Sequence, residues 1–107
     1  MNILKLYQEF TPKTFIVQKE NALDYLFNGL AAETCEVCGV YAKFKRLDFN
    51  KEVLLERVEK EIGDVFYFLF QLCNELGFDV ETILLNNKTK LEDRLNRNVL
   101  KGDGDNR

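Results

Sequence analysis

The feature that most constrains the fold of this chain is its lack of residues that interrupt helices. Proline occurs once in 107 residues, at Pro12, and there are only six glycines. Long stretches therefore contain no helix breaker, and apolar residues recur in them every three or four positions, which is the period of an amphipathic helix. Apolar and polar residues alternate nowhere for long enough to indicate a strand. The sequence predicts an all-α protein.

The apolar spacing divides the chain into four predicted helices. The first covers roughly residues 3–10 and ends at the segment "TPKT". The second begins after Asn21, a good N-cap residue, and ends near Arg46. The third follows the loop "LDFN" and ends at Gly77, a typical C-cap. The fourth begins after Asp79, which is the predicted cap of "VETILLNNKTKLEDRLNR".

One domain of residues 1–107 is expected from the length, with residues 99–107 as a polar tail that forms a loop or a mobile end. The third helix carries the run "VFYFLFQL", so its second half is apolar on nearly all sides. Such a helix is buried in a bundle or between subunits. We expect a four-helix bundle-like domain completed by oligomerisation, as a homodimer or a homotetramer. A helical dimerisation or binding module without catalysis fits the same run.

Charge and composition argue against several classes of partner. The formal net charge is −3 and the basic residues are scattered, so no surface for nucleic acid or an anionic membrane is indicated. No run of eighteen apolar residues and no secretory leader is visible, which favours a cytoplasmic protein. Histidine is absent, so any catalysis has to rest on carboxylates, lysines, hydroxyls or thiols.

Two of the three cysteines form a Cys35-x-x-Cys38 pair. A structural zinc site needs about four ligands, and beyond this pair the chain offers only Cys73. A thioredoxin-like motif opens a helix after a strand, whereas this pair lies within a predicted helix. We expect the pair to be reduced and to pack as small apolar residues.

Two pairs of acidic residues have the spacing that places both members on one helix face. Glu33 and Glu36 lie on the second helix, and Glu61 and Asp64 repeat the spacing on the third. An antiparallel hairpin brings the pairs level, since each lies about ten residues, or ~15 Å, from the intervening loop. Four carboxylates in apolar surroundings repel one another unless a hard cation such as Mg²⁺ or Mn²⁺ neutralises them. The alternative is that they are solvated carboxylates paired with nearby lysines.

These motifs resemble those of the MazG-like, all-α nucleoside triphosphate pyrophosphohydrolases, in which an ExxE motif is followed one helix later by ExxD. "GLAAETCEVCG" and "EKEIGDVFYFLFQLCNELG" carry this pattern. "NNKTKLEDR" is similar to the family's Asn-x-x-Lys-Leu stretch, and "RNVLKGDGDNR" is similar to the ending of small phage and bacterial members. The resemblance extends from Leu23 to Arg107.

The resemblance implies hydrolysis of a nucleoside triphosphate between the α and β phosphates, giving the monophosphate and pyrophosphate. It implies that Glu33, Glu36, Glu61 and Asp64 bind Mg²⁺, with Mn²⁺ as an alternative, and that Glu36 or Glu33 acts on the attacking water. Related dUTPases and phosphoribosyl-ATP pyrophosphohydrolases share the ExxE and ExxD motifs, so these activities remain alternatives.

Several other residues are candidates for contact with the substrate. Basic side chains can bind phosphate oxygens, an asparagine amide can both donate and accept, and aromatic rings can stack on a base. The candidate phosphate and nucleotide contacts are Lys43, Tyr67, Asn87, Lys90, Arg94 and Arg107. The segment before the ExxE motif matches the family least, and there Phe15 or Tyr25 can stack on a base.

Overall fold

The computed structural model describes residues 2–107, and within this range the chain is helical and has no strand. This confirms the predicted all-α class with four helices in a bundle-like arrangement. No helix among the described residues is long and apolar enough to cross a membrane. The helices are α1 (Ile3–Phe10), α2 (Ala22–Lys45), α3 (Lys51–Leu76) and α4 (Val80–Asn96), with single 3₁₀ turns at Thr11–Lys13 and Lys19–Asn21.

Local capping chemistry sets most of the helix ends. The side chain of Asn50 accepts a hydrogen bond from the backbone N–H of Val53 at 2.9 Å, which starts α3. Gly77 ends α3 in the left-handed conformation with φ of 75°, and Asp79 caps α4 as predicted. As predicted, α2 begins directly after Asn21, but the Asn21 side chain makes no capping hydrogen bond, because a 3₁₀ turn leads directly into the helix.

The helices α2 and α3 form the antiparallel hairpin that dominates the fold. Gly29 of α2 allows the close approach, since a Cβ atom there would lie 2.1 Å from Cε1 of Phe68 on α3. The ring of Phe68 is only 7% exposed, and Leu26, Val40 and Leu54 are also buried. The site-bearing helices are therefore held in register by a contact that a side chain at position 29 would disturb.

A buried polar network joins α1 to the end of α3. The hydroxyl of Thr11, which is fully buried, donates to Oε1 of Gln71 at 2.8 Å. The amide of Asn74 donates to the Gln8 carbonyl at 2.9 Å, and the side chain of Gln8 donates to the Phe78 carbonyl at 2.8 Å. Gln8 thus ties α1 to the short connection between α3 and α4.

The last helix gives the molecule an extended shape. It packs chiefly against α1, and only Val80 and Arg94 of α4 are buried. The radius of gyration is 17.1 Å, whereas a compact domain of this length has about 13 Å. The accessible surface is 8,287 Å², against about 6,200 Å² for a compact monomer of this mass. The excess of about 2,000 Å² includes many apolar side chains on α1, α3 and α4.

Candidate functional site

Three of the four predicted carboxylates converge on the α2–α3 hairpin. One oxygen from each of Glu33, Glu61 and Asp64 lies within 4.8 Å of the others. The two glutamates are half-buried and Asp64 is exposed, so the carboxylate cluster, as we call these three residues, opens to solvent on one side. Helical spacing puts Glu61 and Asp64 on one face of α3, and the hairpin supplies Glu33 from α2.

The carboxylate cluster carries negative charge that forms no ion pair with a basic side chain of the described residues. Partial burial, followed by the charges of Asp64, Glu61 and Glu36, raises the pKa of Glu33 above its ordinary value. The cluster is therefore a place where a bound cation would relieve repulsion.

The donor set fits Mg²⁺ or Mn²⁺. All the donors are carboxylate oxygens, which hard divalent cations prefer, and the described residues bring no histidine or thiol into the group. Oxygens sharing one Mg²⁺ lie roughly 3–4 Å apart, since each is about 2.1 Å from the ion. The three oxygens lie within 4.8 Å of one another, which is close to that range.

Glu36 and Lys43 lie outside the carboxylate cluster. Glu36 is exposed and is not one of the three converging groups, although its charge is the last of the causes that raise the pKa of Glu33. Lys43 is exposed near the α2–α3 connection, where its charge helps to lower the pKa of Asp48 after the larger effect of Arg46. The structure therefore places Glu36 beside the cluster and Lys43 nearer the turn.

Two tyrosines are neighbours of Asp64: Tyr67 lies three residues after it on α3, and Tyr7 of α1 is close enough to be affected by its charge. The Tyr67 hydroxyl accepts a hydrogen bond from Thr14 at 3.2 Å. Burial, followed by the nearby Tyr67 and Asp64, raises the pKa of Tyr7 above its usual value. In the sequence Tyr7 is one of the residues of the amphipathic first helix, and its spacing did not single it out as a site residue. Its hydroxyl was the available signal, because a tyrosine in an apolar stripe needs a polar partner for its O–H.

An open depression of about 520 Å³ begins at Glu33 and follows α2 toward its N-terminus. The rings of Tyr25 and Phe68 form its apolar wall, with centroids 5.6 Å apart, and Asn21 and Asn28 add side-chain amides. The ring centroid of Phe15 lies 6.0 Å from that of Tyr25. We call this feature the Tyr25 depression. The amides were missed in the sequence because nothing in their spacing distinguishes them from solvated helix residues.

The remaining candidates lie on α4 and in the tail, residues 99–107. Asn87 is exposed on α4 between two open depressions. Lys90 and Arg94 have their polar partners in the tail, and Arg107 donates to carbonyls of the tail itself. No hydrogen bond or ion pair within residues 2–107 joins these basic residues to the carboxylate cluster.

The cysteines do not take the packing role expected from the sequence. Cys35 and Cys38 are exposed, and Cys73 is half-buried, with burial raising the pKa of its thiol. All three are free thiols. The prediction of apolar packing for the Cys35-x-x-Cys38 pair is wrong for the single chain, because these positions of α2 face away from α3.

Comparison with known proteins identifies a relative of this chain. The chain is 32% identical to the "Gene 37 protein" of Mycobacterium phage L5 over 90 residues, which cover 79% of this chain and 76% of that protein. No protein-family model matches the chain, and no solved structure matches it.

Proposed function

This chain belongs to the family of the Gene 37 protein of Mycobacterium phage L5, and because that name states no activity, we propose a function from the carboxylate cluster. The proposed activity is Mg²⁺-dependent hydrolysis of a nucleoside triphosphate to the monophosphate and pyrophosphate. Glu33, Glu61 and Asp64 would hold the cation, with Glu36 beside them.

The observation that carries this proposal is the convergence of three carboxylates without a basic partner among residues 2–107. A bound divalent cation supplies charge stabilisation at an attacked phosphoryl group and bridges an anionic triphosphate to the acidic site. Glu36 lies on the same face of α2 as Glu33 and stays exposed, so it can accept a proton from water. The ExxE and ExxD motifs of MazG-like pyrophosphohydrolases support the same assignment.

The Tyr25 depression supports a nucleotide as the substrate. It is contiguous with the cluster through Glu33, and its wall combines two aromatic rings with the amides of Asn21 and Asn28. Aromatic faces stack on a base, and amides can donate to and accept from its polar edge. A nucleotide lying along α2 would thus have its phosphates at the cluster and its base at Tyr25.

We also propose that the active species is a homodimer or a homotetramer. The single chain exposes about 2,000 Å² more surface than a compact monomer of its mass. Phe66, Leu69 and Ile62 contribute to this surface on α3, and Leu84, Leu91 and Leu95 contribute on α4. Burying that excess in each protomer would give an interface of the size found in obligate homodimers. Sizing chromatography with light scattering tests this, and a monomer at micromolar concentration would contradict it.

The same exposed apolar faces favour a second candidate, a helical dimerisation or binding module without catalysis. In that case the acidic residues would be solvated charges on amphipathic helices. The two candidates differ in metal-dependent turnover, which only the first predicts.

The decisive experiment is pyrophosphate release from a panel of ribo- and deoxyribonucleoside triphosphates, with and without Mg²⁺. The panel includes dUTP and phosphoribosyl-ATP, which separates the related pyrophosphohydrolase activities. We expect Mg²⁺-dependent release that Glu61→Gln and Glu36→Gln abolish at nearly constant side-chain volume. Glu59→Gln is the matched control, because Glu59 is an exposed residue of α3 outside the cluster. No release with any nucleotide, at enzyme concentrations well above trace, would refute the catalytic proposal.

A further inference from the structure

The tail, residues 99–107, is folded against α4 by arginines. The Arg107 guanidinium donates to the carbonyls of Gly104 at 2.8 Å and of Val99 at 3.2 Å. It also lies over Gly102, where a Cβ atom would be 2.7 Å from Cδ of Arg107. Gly102 and Gly104 both have positive φ, so glycine suits these turns. In this structure the tail is thus a loop folded against α4.

The contact between the tail and α4 centres on Arg94. Although Arg94 is a cation, it is only 5% exposed. Its Nη2 donates to the Asp105 carbonyl at 3.1 Å and to Oδ1 of the Asp105 carboxylate at 3.3 Å. Lys90, one helical turn earlier, donates from Nζ to the same Oδ1 at 3.2 Å. One carboxylate oxygen is therefore shared by two cations of α4.

We propose that Lys90 and Arg94 form an anion site for a phosphate-bearing ligand, and that the tail occupies this site through the Asp105 carboxylate. Lys90 and Arg94 lie on one face of α4, and the hydrogen-bond partners of the Arg94 side chain among the described residues all belong to the tail. The choice of a phosphate-bearing ligand rests on the proposed function, whereas the occupation by Asp105 rests on the tail contacts alone.

The chemistry of the occupant makes it replaceable. The Asp105 side chain is 81% exposed, so water screens its ion pair with Lys90, and the pair with Arg94 is open to water on the carboxylate side. A pyrophosphate group carries more charge than a carboxylate and offers several oxygens to a guanidinium fork. The Asp105 carboxylate of the tail thus competes with the ligand for Lys90 and Arg94. A ligand that binds these two cations has to displace Asp105.

The test is pyrophosphate binding to the full chain in EDTA, followed through the backbone and arginine side-chain ¹H–¹⁵N signals. Asp105→Asn removes the competing charge, and Asp103→Asn makes the same change of charge two residues away. Asp103 is exposed and forms no ion pair with the described residues, so it is a matched control. We expect Asp105→Asn to bind pyrophosphate about 2- to 10-fold more tightly than the parent chain or the control.

Two further measurements locate the binding. Lys90→Ala in the Asp105→Asn background should remove the gain. Saturating pyrophosphate should also shift the ¹H–¹⁵N signals of the Gly104 and Asp105 amides in the parent chain, because Asp105 then leaves Lys90 and Arg94. Equal affinities for the two asparagine variants would overturn the inference, as would pyrophosphate binding with the tail still in place. Because no metal and no turnover are involved, a chain that hydrolyses no nucleotide can still pass this test, and an active enzyme can fail it.

Discussion

Gly29→Ala is the substitution that most directly tests the hairpin supporting the carboxylate cluster. The new Cβ would lie 2.1, 2.6 and 2.8 Å from three atoms of the Phe68 ring. Carbon atoms do not approach so closely, and the ring is buried against α2, so either the ring or the helix has to move. Overpacking of this kind costs about 1–3 kcal/mol. The higher helix propensity of alanine offsets this cost by about 1 kcal/mol in the free energy of unfolding.

Gly39→Ala on the same helix isolates the steric part of the effect. Nothing lies within 4 Å of a Cβ atom built at Gly39. Gly39→Ala therefore has the higher helix propensity of alanine but no steric clash. It should be about 1 kcal/mol more stable than the parent chain. Gly29→Ala should be less stable than Gly39→Ala by about 1–3 kcal/mol, which corresponds to at least about 4 °C in Tm for a domain of this size.

Thermal unfolding followed by circular dichroism, with urea titration as a check on two-state behaviour, measures both variants. The same displacement of α2 would separate Glu33 from Glu61 and Asp64, so Gly29→Ala should also weaken any stabilisation by Mg²⁺. If the two variants have the same Tm, or if Gly29→Ala is the more stable, the close approach of α2 to Phe68 is not a packing constraint and the reasoning fails.

Three shorter predictions address charge and the α1–α4 joint. In EDTA, Asp64→Asn should raise the free energy of unfolding by up to about 1 kcal/mol, because it relieves the repulsion between Asp64 and Glu33. The same variant should abolish any rise in Tm that Mg²⁺ causes. Glu56→Gln, a change at an exposed position of α3, should alter neither the free energy of unfolding nor the effect of Mg²⁺. Because the pKa of Glu33 is raised on folding, the native state binds more protons than the unfolded state between the ordinary and raised pKa values. Metal-free stability should therefore fall as the pH rises through that window, and Glu33→Gln should remove this fall in urea titrations at several pH values. Gln8→Ala should lower the free energy of unfolding by about 1–3 kcal/mol and increase amide exchange in α4, because it removes the hydrogen bonds of the Gln8 side chain to Phe78 and Val80. Gln18→Ala should leave both quantities unchanged. A flat pH profile for the parent chain, or unchanged exchange in α4, would contradict the last two.

Much of the secondary structure follows from the sequence because it depends on local interactions. The bounds of α1 and the caps at Gly77 and Asp79 agree with prediction, since backbone conformation and capping are decided within a few residues. Asn21 is an exception. The preceding residues form a 3₁₀ turn, and that turn replaces the side-chain cap.

The candidate site was only partly predictable. Helical spacing pairs Glu61 with Asp64 from the sequence alone, and the hairpin accounts for their approach to Glu33. From its spacing Glu36 was as good a candidate as Glu33, but the rotation of α2 against α3 leaves it exposed. That rotation depends on which side chains pack between the helices, and in particular on Gly29 meeting Phe68. For the same reason the exposure of Cys35 and Cys38 was not foreseen.

The sequence by itself determined the helical class, the positions of the four helices and the acidic motifs, because these depend on periodicity and on neighbours along the chain. Tertiary structure decided which carboxylates meet, that α4 projects from the hairpin and that the tail places Asp105 on Lys90 and Arg94. These outcomes depend on contacts between residues distant along the chain, and no local pattern specifies the rotation of one helix against another.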